Sequence, residues 1–211
     1  MILLSTAYFG NIQYYSKLYS GEEVLIEEHE NYTKQSYRNR CDILSSNGVI
    51  SLSIPIKKES GRDKIPIREI EIEYVMEWQK QHWRSIVSAY NSSPFFEFYD
   101  YLFEPLFKKK EKYLIDHNNN CMDVVCSCIN KKIDIGKTTT FVDIPEKGVL
   151  DYRQSISPKV ALQKEDMYFS NIEYYQVFSE KFPFQKNLSI LDLLFCEGNE
   201  TLNILKKQLL K

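Results

Sequence analysis

Apolar and polar positions alternate in two different periods along this chain, and the change of period divides it. Residues 3–28, LLSTAYFGNIQYYSKLYSGEEVLIEE, read as an apolar strand, a tight turn, a short aromatic helix and a second strand. That order is a βαβ opening, which often presents a ligand site at the turn after its first strand. SYRNRCDILSSNGVISLSIPIKK then carries two β-rich runs flanking Ser46-Asn47-Gly48. Asn-Gly is a strong hairpin signal because both residues tolerate positive φ. Within the second run Val49, Ser51 and Ser53 alternate with Ile50, Leu52 and Ile54, so one face is buried and the other polar. ESGRDKIP is expected as a surface loop, and the alternating IREIEIEY as one more strand.

From residue 75 onward the spacing turns helical. Val75, Trp78, His82, Ile86 and Ala89 fall on one helical face. Ser93 is a candidate N-cap with Pro94 at the first helical position, opening a second helix from Phe95 to about Lys110. NNNCMDVVCSCINKK predicts a third helix and KTTTFVDIP another strand. The last third holds two or three helices, the penultimate one starting at Asn187 or Ser189. The pattern predicts an α/β fold: a mixed sheet that opens with a βαβ unit and a β-hairpin, and a helix-rich C-terminal part. No repeat or linker interrupts it, so residues 1–211 are expected to form a single domain.

Composition narrows the function classes. The chain has 211 residues, 43% hydrophobic and 27% charged, with a net charge of −2, which suits a folded globular protein and offers no basic field for nucleic acid. Its 15 tyrosines and 12 phenylalanines belong mostly to the core, where aromatic area is usually buried. Five cysteines in no disulfide-like pattern fit a reducing compartment, and the start MILLSTAYFG has neither the basic region nor the apolar length of a signal peptide. With no run long enough to span a membrane, a cytoplasmic protein is expected.

Candidate chemistry gathers early in the chain. The turn TAYFGN carries one glycine where phosphate cradles carry several, although it places Tyr8 and Asn11 near a helix N-terminus. EEHENYTKQSYRNRC packs Glu27, Glu28, His29, Lys34, Arg38, Asn39 and Arg40 into one stretch. If a strand runs from Arg38 to Leu44, Arg38 and Arg40 share a face and suit a phosphate or carboxylate, which a guanidinium binds bidentately. The competing reading is a solvated edge of surface ion pairs. Trp78 and His82 stand four apart, so His82 is either a general base with a shifted pKa or a satisfied core histidine. His117, Cys121 and Cys128 share a helical face without a second ligand pair, which reads as buried thiols rather than a metal site. IGKTTT ends like a phosphate-binding loop, but Lys131 stands where that loop needs its first glycine.

Taken together, LLSTAYFGNIQYY, NYTKQSYRNRC with GVISLSIPI, WQKQHWRSIVSAYNSSPFFEFY, IEYYQVF and NLSILDLLFCEGNE resemble the WbqC-like family of bacterial proteins, in order and spacing over nearly the whole chain. The resemblance implies a place in the synthesis of O-antigen and other surface polysaccharides rather than a particular reaction. Many members have proline in the first turn where this chain has Asn11, and some have an aspartate pair where it has Glu27 and Glu28. Lys34, Asn39, Arg40, His82, Tyr175 and Gln176 sit on recurring positions of the family. The reading that follows is a transferase modifying an activated sugar, by acyl or aminoacyl transfer to an amino sugar. Lys34, Arg38 and Arg40 would hold an oxyanion, Glu28 or His82 would take a proton, and Tyr8 and Tyr175 would stack on the sugar or base. The competing readings are a nucleotide-dependent adenylyl or nucleotidyl transferase, and a non-catalytic assembly subunit. The expected partner is a small molecule, a nucleotide-sugar or acyl donor. No cofactor is implied.

Overall fold

The computed structural model describes residues 1–57 and 64–210. Two short strands open it, β1 (Ile2–Ser5) and β2 (Val24–Glu27), paired in parallel from Ile2 with Val24 to Ser5 with Glu27. Both are almost wholly buried, which is why they read as continuous apolar runs rather than alternating ones. Between them lies helix α1 (Ile12–Leu18). Strands β5 (Ile135–Lys137) and β6 (Leu150–Asp151) join on either side, giving a four-stranded parallel sheet in the order β5-β2-β1-β6. A separate hairpin pairs β3 (Arg40–Ser45) antiparallel with β4 (Gly48–Ser53).

The turn from β1 to α1 is held from three sides. Asn11 caps α1, its side chain accepting from the Tyr14 N–H at 2.9 Å. A Cβ on Gly10 would come within 2.7 Å of the Tyr14 ring, so the first helical turn packs on bare backbone there. From the far end of the chain, Ser189 donates to the Phe9 carbonyl at 2.8 Å and the Ile190 N–H to that of Gly10 at 2.9 Å. Asn11→Ala is expected to lower stability by about 1 kcal/mol, read from denaturant unfolding, because the Tyr14 N–H loses its only side-chain acceptor.

Five more helices follow the hairpin: α2 (Trp78–Tyr90), α3 (Phe96–Phe103), α4 (Leu114–Ile129), α5 (Ile190–Glu197) and α6 (Thr201–Lys207). One hydrophobic cluster runs from Ile2 through Tyr8, Trp78, Cys121 and Phe195 to Leu205. Ser189 caps α5, as one of the two expected starts. None of the described helices is long and apolar enough to cross a membrane.

Several boundaries differ from the sequence pattern, each for a local reason. The first hairpin strand starts at Arg40, and Arg38 lies in the turn before it, so the two guanidiniums do not share a strand face. IREIEIEY is not a strand. Ile67 and Ile70, three apart, are both buried through a 3-10 turn at Ile67–Glu69, followed by single bridges from Glu71 to Tyr113 and Ile72 to Ile56. Helix α2 starts at Trp78 because the Glu73 carboxylate takes the N–H groups of Tyr74 and Val75, leaving Val75 86% exposed. Ser93 bonds back to the Tyr90 carbonyl at 2.6 Å, closing α2 instead of capping α3. Past Phe103 the helix tightens to 3-10 over Glu104–Phe107, since Pro105 has no N–H to continue an α-helical ladder. KTTTFVDIP leaves the sheet at Lys137, because Thr138 and Val142 turn to bond the Glu27 carboxylate. Of the polar loop expected at 59–66, residues 59–63 lie outside the described residues.

Candidate functional site

With β2 and β5 on one side of β1 and β6 on the other, the order of the sheet reverses between β1 and β6. In open parallel sheets the crevice outside the carboxyl ends at such a reversal is where ligands bind. Here it is lined by Ser5, Thr6, Arg38, Tyr152, Arg153 and Ile156. Each arrives by a short route: Ser5 ends β1, Tyr152 and Arg153 follow β6, and Arg38 comes from the turn before β3. Asn118 of α4 ties two of these segments together, donating to Thr6 Oγ1 at 3.1 Å and to the Arg38 carbonyl at 2.8 Å.

The crevice is a set of buried charges. Arg38 grips Glu30 with two prongs, Nε to Oε1 at 2.8 Å and Nη2 to Oε2 at 2.6 Å, and also donates from Nη2 to Ser5 Oγ at 2.7 Å. Arg153 grips Asp151 in the same way at 2.9 and 2.8 Å, and its Nη1 stands 3.5 Å from Glu27 Oε2. Glu27, fully buried at the end of β2, accepts from the His29 N–H at 2.7 Å, Thr138 Oγ1 at 2.8 Å and the Val142 N–H at 2.9 Å. Asp151 holds Arg153 above its ordinary pKa. Burial works to raise the Asp151 carboxyl, but the bonds from Arg153 outweigh it and leave it below the usual range. Asp151 is the more exposed of the two carboxylates that grip an arginine, so the Arg153–Asp151 pair opens at a smaller desolvation cost than the Arg38–Glu30 pair. As it stands the crevice holds about 10 Å³, room for a single water.

A second cluster lies inside the protein. Tyr8 meets His82 Nδ1 at 3.0 Å, and the Ser53 carbonyl bonds the same imidazole, which favours the proton on Nε2 and Tyr8 as donor to Nδ1. The Trp78 ring stands edge-on to both His82 and His117, at 5.0 and 5.5 Å between centroids. Burial pushes His82 down to about 4, with His117 adding to the effect, and burial likewise pushes His117 down to about 4. Burial also raises the Tyr8 hydroxyl well above its ordinary value. At neutral pH these are two neutral imidazoles and a protonated phenol packed in the core.

The remaining residues singled out from the sequence are dispersed. Glu28 follows Glu27 but pairs with Lys137 at 2.7 Å. Lys34 is exposed with no partner among the described residues. Asn39 accepts from Tyr32 at 3.0 Å and donates to the Ile54 carbonyl at 2.8 Å, fixing the entry to the hairpin. Arg40 pairs with Asp42 at 3.1 Å on the hairpin, and Asn11 is the cap of α1. Tyr175 is half-exposed, its N–H bonded to Glu197, whereas Gln176 is buried and donates to Asp192 at 2.9 Å. Asp192 also accepts from Tyr90 and Tyr174, and burial raises its carboxyl despite those bonds.

Of the ten residues, Arg38 lines the crevice, and Tyr8 and His82 meet each other. Glu30, Asp151, Tyr152 and Arg153 were not singled out. The signal for the last three was GVLDYR, a short apolar run ending in Asp-x-Arg, in which the two charged residues meet directly.

A parallel sheet of this order defines an open α/β protein, with charged residues meeting at its reversal. The chain belongs to the WbqC-like protein family, which matches residues 6–204. It is 24% identical over 209 residues to the uncharacterized protein Rv1507c of Mycobacterium tuberculosis (strain ATCC 25618 / H37Rv), with 88% of each chain covered. No solved structure matches it.

Proposed function

We propose that this chain is a transferase acting on a phosphate-activated sugar at the crevice between β1 and β6, by acyl or aminoacyl transfer to an amino sugar in surface-polysaccharide synthesis. The observation that carries the reading is the convergence of two guanidiniums, Arg38 and Arg153, at the reversal of a parallel sheet. Their roles differ. The deeply buried Arg38–Glu30 pair is a fixed strut that orients Ser5, while Arg153 exchanges the Asp151 carboxylate for a ligand phosphate. Admitting a sugar requires the segment after β6, from Tyr152 to Ile156, to move outward. His82 acts through Tyr8 to hold the first turn. The five unpaired thiols support a reducing, cytoplasmic setting.

A nucleotidyl or adenylyl transferase is the second reading, favoured by the same crevice because a nucleotide's phosphates suit a sheet reversal. Thermal unfolding against UDP-sugars, acyl-coenzyme A, coenzyme A, amino acids and ATP separates the two. A ligand at 100 times its dissociation constant stabilises by about 2.7 kcal/mol, a shift of roughly 5–10 °C for a chain of this size. The expected result is a shift with a UDP-sugar that Arg153→Lys abolishes, since lysine keeps the charge and loses the fork. A shift with ATP alone supports nucleotidyl transfer. Silence from every compound contradicts both.

A further inference from the structure

A second hollow lies away from the crevice. It is a groove of about 510 Å³ between the start of α2 and the 3-10 segment after α3, within the range of small-molecule sites. Trp78, Trp83 and Phe107 form aromatic walls, with Trp83 stacked on Phe107 at 5.4 Å between centroids, and Lys80, Lys108 and Lys110 stand along the rim. The Trp78 indole N–H is buried and has no acceptor. A buried donor without a partner is rare in a folded protein.

Two of the three lysines pair with carboxylates that also line the groove, Glu77 and Glu104. Lys80 pairs with Glu77, and Lys108 with Glu104 at 2.8 Å, both on the exposed surface where such pairs contribute little. Lys110 has no carboxylate partner among the described residues and sits 5.3 Å over the Tyr74 ring, a second wall of the groove. Flat aromatic walls take a ring, and ammonium groups along one rim take a compact anion. A peptide or an uncharged glycan would use the walls and leave the lysines idle.

We propose that this groove binds a phosphate ester carrying a ring, a sugar phosphate or a nucleoside phosphate, with the ring against Trp83 and Tyr74 and the phosphate on Lys110 and Lys108. The site is separate from the crevice and does not depend on the transferase reading. Both tryptophans of the chain line it, so tryptophan fluorescence of the intact protein reports its occupation. The titration uses glucose 1-phosphate, UMP, glucose and inorganic phosphate, excited where uracil does not absorb. A saturable change with glucose 1-phosphate or UMP is expected, and which of the two acts identifies the sugar or nucleoside source. Glucose and inorganic phosphate should give none over the same range.

Lys110→Ala and Lys108→Ala, both at exposed positions, should each weaken binding about tenfold, as loss of a charge-assisted bond does. Arg153→Lys should leave it unchanged. The proposal is overturned if no phosphate ester alters the fluorescence, if glucose binds as well as its phosphate, or if the lysine variants bind like the parent. It is equally overturned if Arg153→Lys abolishes the response, which would place the ligand in the crevice.

Discussion

Arg38→Ala is expected to destabilise the protein by about 3–5 kcal/mol, lowering the unfolding temperature by roughly 6–20 °C. Arg38 and Glu30 are 4% and 6% exposed, and their bidentate contact is the means by which both charges tolerate burial. Removing the guanidinium leaves a carboxylate in a low-dielectric site and deprives Ser5 of its donor. The converse expectation is as specific. Replacing both partners by apolar side chains of similar length, Arg38→Met with Glu30→Leu, should restore most of the loss, because the penalty lies in the unpaired charge rather than in the absent bond. Calorimetric scans of the two single variants and the double variant measure this. A single variant within about 1 kcal/mol of the parent would mean that Glu30 finds water there, and the crevice would be an open one.

The second large effect is a loss of stability in mild acid. His82 and His117 have folded pKa values of about 4, against 6.5 for the unfolded chain. Between those two values the unfolded chain binds protons that the folded one refuses, so stability rises with pH across the window. The contribution is fully present above pH 6.5 and is lost as pH falls toward 4. Each histidine accounts for about 3 kcal/mol of that fall, and because the two are neighbours the pair together gives roughly 5 kcal/mol. Asp192 opposes it. Burial raises its carboxyl, so protonating it in acid relieves a cost. Asp151 and Asp166 have lowered values and act below the window. Denaturant midpoints between pH 7 and pH 4.5 should therefore drop steeply. His117→Leu should remove about half of the drop, since His117 Nε2 has no hydrogen bond to lose. Equal midpoints at both ends would show that the imidazoles are hydrated.

How much of this was legible in the chain depends on whether a feature is local. The βαβ opening, the Asn-Gly hairpin and the Ser189 cap were readable because each is fixed by residues within a few positions of one another. The failed strand at 137–145 shows the limit. TTTFV has strand propensity, but a buried carboxylate more than a hundred residues earlier, Glu27, claims the Thr138 hydroxyl and the Val142 N–H. The same holds for the candidate site. Arg38 could be singled out from its charged surroundings, but its partner Glu30 is set by the fold of the connection between β2 and β3, and its neighbour Arg153 by the order of the sheet. Tyr8 and His82 were named separately, and 74 positions separate them, so the bond between them was invisible to spacing arguments. Tyr175 and Gln176 are adjacent, yet one is half-exposed and the other serves a buried carboxylate.

The central claim is that a ligand phosphate takes the place of Asp151 on Arg153 at the reversal of the sheet. A crystal structure of the protein soaked with a UDP-amino sugar tests it most directly. The account predicts phosphate density within hydrogen-bonding distance of the Arg153 guanidinium, Asp151 released, and the Arg38–Glu30 pair unchanged. Sugar-nucleotide density lying elsewhere, with Arg153 still bidentate on Asp151, would contradict it.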